Sequence, residues 1–192
     1  GSFLAQNVCI IRPDVVKTLT CIMSSPKHTV FVDGFVGKDT DHHPLPPSHP
    51  DILRFYEEIL SISSKDIDED LFLHKEIWKK ISNHEHSDQI IDTRVFEGKI
   101  LKRLKNNKYI HNHSLALANS EDLFDRLYMI NIPTLVIHGK DDYVLPLEHG
   151  RMLSHMIKHS RLIEYEQMGH CLPKKIAFKI ALDLLKHFSD NA

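Results

Sequence analysis

Residues 132–146, IPTLVIHGKDDYVLP, decide the fold of this chain. The apolar and β-branched run at 134–138 predicts a buried strand, because such residues suit the pleated surface of a covered sheet. Gly139 predicts a sharp exit from that strand, since glycine adopts backbone conformations that other residues avoid. Asp141 and Asp142 follow in the turn. The stretch therefore predicts a strand that delivers a carboxylate to the edge of a sheet.

A histidine occupies the equivalent place after the next strand. A helix pattern at 147–158 leads to a second predicted strand at 161–165, and the loop MGH then carries His170, with Gly169 turning its backbone inward. Strands that alternate with helices predict a parallel sheet covered on both faces, with sites at the carboxyl ends of its strands. Adjacent parallel strands lie about 5 Å apart, so one of the two aspartates can meet His170.

The flanking segments extend the same α/β pattern. Residues 3–11 predict a helix that Pro13 stops, because proline lacks an amide hydrogen and disfavours helix before it. Residues 18–23 predict another buried strand, and residues 173–188 predict a helix. The expected fold class is therefore α/β, with parallel strands and flanking helices.

A helical insertion interrupts this pattern. The stretch at 35–50 is rich in His, Asp and Pro and predicts a loop leading into it. Apolar stripes then predict amphipathic helices at 52–60, 67–81, 91–104 and 113–118. Ser120 is a candidate N-cap for a short fifth helix that begins at the next residue. The predicted division is a core at 1–34 and 129–192, with the insertion at 35–128.

Composition argues against several classes of partner. The chain has 192 residues and a formal net charge of -2, which gives no sign of binding to nucleic acid or to a membrane. Cys9, Cys21 and Cys171 show no metal-like spacing and favour a reducing compartment, so we expect a cytoplasmic protein. Cys171 follows His170 directly, but a catalytic cysteine needs a base that reaches it in space. We expect Cys171 to be a bystander.

The 15 histidines suggest a second possibility, a metal site. The closely spaced pairs are His42 with His43, His84 with His86, and His111 with His113. On a helix, residues two apart do not face each other, and no cysteine or paired carboxylate completes a set at useful spacing. We expect solvated loop histidines and no metal, with a metal site as the alternative.

These segments resemble the α/β-hydrolase family over nearly the whole chain. IPTLVIHGKDDYVLPLEHG is similar to the family's acid segment, and MGH is similar to its histidine loop. The resemblance implies that Asp142 is the acid and His170 the base of a catalytic triad, and it leaves Asp141 as a turn residue. The alternative for Asp142 is the same turn role, with the side chain bonding its own backbone. GSFLAQ and PDVVKTLTCIMSS resemble the helix and strand that follow the nucleophile in aclacinomycin methylesterase-like hydrolases.

The same resemblance implies that the nucleophile lies outside these residues. Carried over, Gly1 is the last glycine of the strained turn that bears the nucleophilic serine, which falls two residues earlier. We expect a C-terminal portion of the fold, inactive alone, whose sheet an N-terminal half completes. Two alternatives stay open: Gly1 and Ser2 are remnants of a cleaved tag, or Ser2 is itself the nucleophile.

The resemblance further implies a function. It implies a serine hydrolase that cleaves a small or medium carboxylic ester by acyl transfer and needs no cofactor. The insertion becomes a cap over the catalytic edge, and its aromatic residues Phe55, Tyr56, Trp78 and Phe96 become candidate substrate-binding residues. The alternative is that each packs inside the cap. Alternative functions are a non-catalytic hydrolase-like protein, or the same fold with C–C hydrolysis, dehalogenation, or perhydrolysis of the haloperoxidase type.

Overall fold

Three parallel strands form the sheet of this protein within residues 1–62, 67–82 and 116–192, which the computed structural model describes. They are β1 (Leu19–Ile22), β2 (Thr134–Gly139) and β3 (Ser160–Tyr165), in the spatial order β1-β2-β3. Val136 of β2 lies opposite Cys21 of β1 and Leu162 of β3. The predicted parallel sheet is confirmed, and the ends of β2 and β3 lie side by side.

Helices flank this sheet. Their bounds are α1 (Ser2–Ile11), α2 (Thr29–Phe35), α3 (Pro50–Leu60), α4 (Ile67–Ile81), α5 (Leu147–Met156) and α6 (Lys174–Asp190). Short 3-10 helices add Pro13–Val15 and Phe124–Met129. Every α-helix in this set except α2 was predicted from the sequence. Helix α2 gave no signal because it is short and rich in residues that favour strands. None of the described helices is long and apolar enough to cross a membrane.

Strand β2 is buried along its whole length, and its side chains alternate between two cores. On one face Val136 joins a cluster with residues of α1, α5 and the second 3-10 helix. On the other face Leu135 and Ile137 pack with Tyr165, Met168 and Ile180. Helices cover both faces, which explains why the strand is apolar at consecutive positions and not only at alternate ones.

The segment before β2 differs from its prediction in two ways. The Ser120 hydroxyl donates to the carbonyl of Ala116 at 2.6 Å and does not cap a following helix, whereas the Asp122 carboxylate accepts the amide hydrogen of Phe124 at 3.1 Å. Leu123 and Leu127 fall before the predicted core boundary at residue 129, yet both are buried in the core cluster beside β2.

The described part of the insertion packs against the turn that follows β2 and carries Asp142, which we call the acid turn. Ile52 of α3 and Ile81 of α4 form an apolar cluster with Val144, which follows β2. The predicted helices at 52–60 and 67–81 are confirmed. The predicted helix at 91–104 and residues 113–115 lie outside the described residues.

Gly139 is required for space at the end of β2, and not for the sharp exit that the sequence suggested. A Cβ atom at this position would lie 1.9 Å from the carbonyl oxygen of Met168 and 2.6 Å from its carbonyl carbon. The next two residues fasten β2 to the neighbouring strand and loop, because Lys140 and Asp141 donate their amide hydrogens to Tyr165 and Met168. The acid turn and the histidine loop are therefore in backbone contact.

We expect Gly139→Ala to lower the free energy of unfolding by about 3 kcal/mol or more, because the clash is with backbone that cannot turn aside. Gly37→Ala is the matched control: Gly37 has a φ of 70° but open space around it, so only the left-handed backbone is penalised, by about 1 kcal/mol. Urea denaturation of both variants measures the difference. Equal losses would contradict the close-contact explanation.

Candidate active site

Asp142 lies in the turn after β2, and its two carboxylate oxygens have different partners. Oδ1 accepts the amide hydrogens of Val144 at 3.0 Å and Leu145 at 2.8 Å, which makes an Asx turn. The sequence interpretation favoured Asp141 for the turn role and kept it as the alternative for Asp142, and the structure shows the turn at Asp142. The turn fixes the carboxylate plane and points Oδ2 away from the turn.

Oδ2 of Asp142 meets His170, at 2.8 Å from the imidazole Nδ1. The Asp142 side chain is fully buried, while the His170 side chain keeps 27% of its surface exposed. A carboxylate only accepts hydrogen bonds, so Nδ1 of His170 carries the hydrogen, and in the neutral ring Nε2 is the nitrogen that can accept a proton. The pair therefore has the geometry of a base and the acid that orients it, while its catalytic role stays a prediction.

The loop that carries His170 has a left-handed turn and a backbone bond to α4. Its left-handed residue is Gln167, with a φ of 54°, so the turn is made there and not by Gly169 as expected. The amide hydrogen of His170 is donated to the carbonyl of Ile81, the last residue of α4, at 2.7 Å. Helix-terminal carbonyls lack partners within their own helix, and this one is satisfied by the histidine loop.

Three further histidines are buried around this edge. The Nε2 atom of His138 lies 2.8 Å from the carbonyl oxygen of Leu145, and the ring of His149 bridges Ser25 and Pro46. Burial lowers the pKa of His28, His138 and His149, because the charged imidazolium loses its hydration. Nearby carboxylates oppose this effect without reversing it.

His170 lines a cavity of about 340 Å³. Its other walls come from the start of α1, the end of β1 with the following residues 23–25, His28 and Phe31, and the acid turn at Val144 and Leu145. Met23 has a φ of 47°, which is rare for a residue with a side chain and typical of functional sites. The Ser2 hydroxyl is buried at this wall with no hydrogen-bond partner among the described residues, so it is not paired with His170.

The aromatic residues predicted to bind substrate lie near this cavity but are not among its lining residues. Tyr56 and Trp78 are half-buried against the cluster that contains Val144. Phe55 packs edge-on against Tyr56 and lies under the ammonium group of Lys80, 5.8 Å from its ring centre. Phe96 lies outside the described residues. Substrate contact by these four stays a prediction.

One group of possible metal ligands exists in the described part of the chain: Asp33, His42 and His43. The carboxylate of Asp33 already contacts the ammonium of Lys38 at 3.0 Å and Nε2 of His43 at 3.1 Å. A bound cation would compete with that ammonium group for the carboxylate, whereas Nδ1 of His43 is buried with no hydrogen-bond partner among the described residues. A metal site at these residues stays the alternative. The other histidine pairs lie outside the described residues.

Cys171 is buried and follows His170 directly, and burial raises the pKa of its thiol to about 11. The reactive form of cysteine is the thiolate, so a thiol in this environment is a poor nucleophile at neutral pH. This agrees with the prediction that Cys171 is a bystander.

Sequence reasoning missed His138 and the carbonyl of Ile81 as parts of the site. A histidine within an otherwise apolar buried strand was the available signal for His138, because a buried polar side chain needs a partner. The contact of Ile81 with the base depends on how α4 packs and has no local signal.

Comparison with known proteins shows which proteins this chain is similar to. A family model described as serine hydrolase (FSH1) matches residues 93–182. The chain is 33% identical over 76 residues to the bifunctional esterase/perhydrolase DCH of Acinetobacter calcoaceticus, which covers 39% of this chain and 28% of that protein. It is 34% identical over 67 residues to the AB hydrolase superfamily protein YisY of Bacillus subtilis (strain 168), which covers 35% and 25%.

A solved structure extends the likeness to the whole fold. MGS-M2, an α/β-hydrolase enzyme from a Medee basin deep-sea metagenome library, matches with a TM-score of 0.67 at 16% identity, over 98% of this chain and 62% of that one. The fold with its acid-bearing and histidine-bearing strand ends is that of a hydrolase core. The chain therefore has the α/β-hydrolase fold, and parts of its sequence are similar to serine hydrolases and to curated members of that superfamily. Its matched segments span about a quarter of the length of those two curated relatives.

We expect Asp142→Ala to lower the free energy of unfolding by about 2–4 kcal/mol, because one buried and one partly buried amide hydrogen lose their acceptor. Asp142→Asn keeps an oxygen at the Oδ1 position and should cost about half as much or less. Urea denaturation measures both, with Asp14→Ala as a control at an exposed aspartate. Equal losses for the two Asp142 variants would contradict the turn role of Oδ1.

The lowered pKa values of His28, His138 and His149 predict that acid destabilises the protein. Below about pH 6.5 the unfolded chain binds protons at these residues and the folded chain does not, so stability falls as the pH drops. The expected slope is about 1 kcal/mol per pH unit for each group. Urea denaturation between pH 7.5 and 5 measures it, and His149→Phe should reduce the slope. A flat profile would show that these rings protonate freely in the folded state.

Proposed function

We propose that this protein is a serine-type α/β-hydrolase that cleaves a small or medium carboxylic ester by acyl transfer. The observation that carries the proposal is the hydrogen bond between Asp142 and His170 at the carboxyl edge of the sheet, beside a cavity. The match to the serine hydrolase (FSH1) model and the likeness to an esterase/perhydrolase support it.

In this proposal His170 is the general base. Its Nε2 atom removes the proton from a serine hydroxyl while the serine oxygen attacks the ester carbonyl. Asp142 stays ionised, fixes the tautomer of His170 and stabilises the imidazolium. His170 then gives the proton to the leaving alcohol, and a water molecule releases the acyl group by the same route in reverse. The resemblance to the family assigns the serine to a position two residues before Gly1, with the oxyanion-binding amides also upstream.

The substrate would occupy the cavity beside His170, under the cap. We propose that Phe55, Tyr56, Trp78 and Phe96 contact it. Tyr56 and Trp78 pack in the same cluster as Leu145, which lines the cavity, and this proximity supports their assignment. The chemistry needs no metal or cofactor, because the charge that develops on the carbonyl oxygen is stabilised by hydrogen-bond donors.

Two further features of the proposal concern the surroundings of the site. An N-terminal half of the same fold would pair with β1, which is an edge strand among the described residues. We propose a cytoplasmic location, because the three cysteines are free, buried thiols.

The second candidate function is perhydrolysis of the haloperoxidase type, favoured by the name of the esterase/perhydrolase relative. It would use the same acid and base, with peroxide in place of water. The C–C hydrolase and non-catalytic alternatives also share this fold. The identity of the nucleophile and the oxyanion loop would decide among them.

A fluorophosphonate probe, which reacts with activated serines, tests the proposal. We expect these 192 residues to stay unlabelled and a form that carries the upstream nucleophile turn to be labelled at its serine. Asp142→Asn in the longer form should slow labelling by about 10⁴-fold, because His170 then loses its productive tautomer. Labelling of the 192 residues at Ser2 would overturn the placement of the nucleophile, and an unlabelled longer form would overturn the enzyme assignment.

A further inference from the structure

His138 is a fully buried histidine in β2, four residues before Asp142, and ester hydrolysis as described does not use it. Its Nε2 atom lies 2.8 Å from the carbonyl oxygen of Leu145. A carbonyl only accepts hydrogen bonds, so Nε2 carries the hydrogen and Nδ1 is bare. This contact alone fixes the tautomer of the ring.

The opposite side of the ring is packed against helix α5. A Cβ atom at Gly150 would lie 2.6 Å from Nδ1 and 2.7 Å from Cγ of His138. The helix backbone therefore lies directly on the ring, and Nδ1 has no hydrogen-bond partner among the described residues. The absence of a side chain at residue 150 leaves room for an imidazole ring that is held between α5 and the acid turn.

Hydrogen bonds through the backbone of Leu145 connect His138 to Asp142. The amide of Leu145 donates to Oδ1 of Asp142 at 2.8 Å, and the carbonyl of the same residue accepts from His138. Nε2 of His138 is also 3.6 Å from Oδ2 of Asp142, the oxygen that receives Nδ1 of His170. The hydrogen of His138 thus holds the turn directly and places a partial positive charge beside the working oxygen.

We propose that His138 is a positioning residue for the acid, holding the turn so that Oδ2 of Asp142 faces His170. This inference rests on the proposed roles of Asp142 and His170. His138 acts through Leu145 and Asp142 and touches no reacting atom.

The charge of His138 matters to this role. Burial lowers its pKa, and this effect outweighs the carboxylate of Asp142, the carbonyl of Leu145 and the more distant Glu148, which all favour the charged form. A positive His170 opposes protonation of His138 as well. When His138 is neutral, the negative charge of Asp142 can stabilise the imidazolium that forms on His170 during the proposed reaction. A positive charge on His138 would weaken that stabilisation, because it would offset the charge of Asp142.

The competing explanation is that His138 only fills space between α5 and the turn. Two substitutions separate the explanations, because each keeps one property of the ring. His138→Phe keeps an aromatic ring against Gly150 and removes the donor. His138→Gln gives up the ring and keeps an amide hydrogen at a reach similar to Nε2. Positioning predicts that Gln preserves the site better than Phe, and space filling predicts the reverse order.

Ring-nitrogen NMR provides a readout that does not depend on turnover. Long-range ¹H–¹⁵N correlations report which nitrogen of each histidine carries hydrogen. We expect His138 with hydrogen on Nε2 and His170 with hydrogen on Nδ1 in the unmodified protein. His138→Phe should shift His170 to a mixture of tautomers with a faster-exchanging Nδ1 hydrogen, and His138→Gln should restore the single tautomer.

His187→Phe is the matched control, because His187 is also a buried histidine with one ring nitrogen that has no partner among the described residues, but it lies near the end of α6. It should leave the tautomer of His170 unchanged. In an active longer form, His138→Phe should lower kcat by about 100-fold with little change in KM, because the base is misplaced and the cavity is not altered.

Three results would overturn the inference. The first is a hydrogen on Nδ1 of His138 in the unmodified protein. This result needs no variant, so it can be obtained even if the substituted proteins do not fold. An unchanged His170 tautomer in a folded His138→Phe protein would leave only the space-filling role, as would better preservation of the site by Phe than by Gln. A His138-dependent tautomer in a longer form that resists the fluorophosphonate probe would support the inference and refute the proposed enzyme activity, so the two can fail separately.

Discussion

The site depends on one buried carboxylate whose two oxygens are committed to different tasks. Oδ1 of Asp142 closes the turn after β2, and Oδ2 holds His170. An ionised carboxylate without access to water is strongly disfavoured unless donors surround it. Two backbone amides and one imidazole supply those donors here, so the turn and the histidine loop stabilise each other. The backbone contact of Gly139 with Met168 brings the two segments close enough for this to happen.

The insertion is likewise bonded to the loop that carries His170. The last carbonyl of α4, at Ile81, has no acceptor role within its own helix and takes the amide hydrogen of His170. The apolar cluster of Ile52, Ile81 and Val144 connects the insertion to the acid turn as well. A displacement of α4 would therefore remove a hydrogen bond from the loop that carries the base. Packing of the insertion and geometry of the acid–histidine pair are coupled through shared residues.

Much of this arrangement could be predicted because it follows from local rules. The β-branched run before Gly139 and the alternation of strands with helices were enough to bring Asp142 and His170 to one edge of a parallel sheet. The assignments that failed depend on contacts between distant segments. Gly139 is explained by the backbone of Met168, and the Asx turn belongs to Asp142 because of where Val144 and Leu145 fold back. Helix α2 lacks a clear apolar period. The proposed role of His138 depends on its packing against Gly150, which the sequence alone does not reveal.

The acid–histidine pair does not by itself select a reaction. Ester hydrolysis and perhydrolysis both need a base that exchanges a proton with a nucleophile, so the proposed pair of Asp142 and His170 would serve either one equally. Discrimination must come from groups that meet the substrate and the attacking molecule. The wall of the cavity beside His170 includes residues 23–25, which follow the carboxyl end of β1. The left-handed backbone of Met23 is unfavourable for a residue with a side chain, and it is held by the bond from its amide to Ile137 of β2. Asp142 follows the end of β2, and the carbonyl of Ile137 in the same strand holds Met23 at another wall of the cavity, so one strand supports both sides of the cavity.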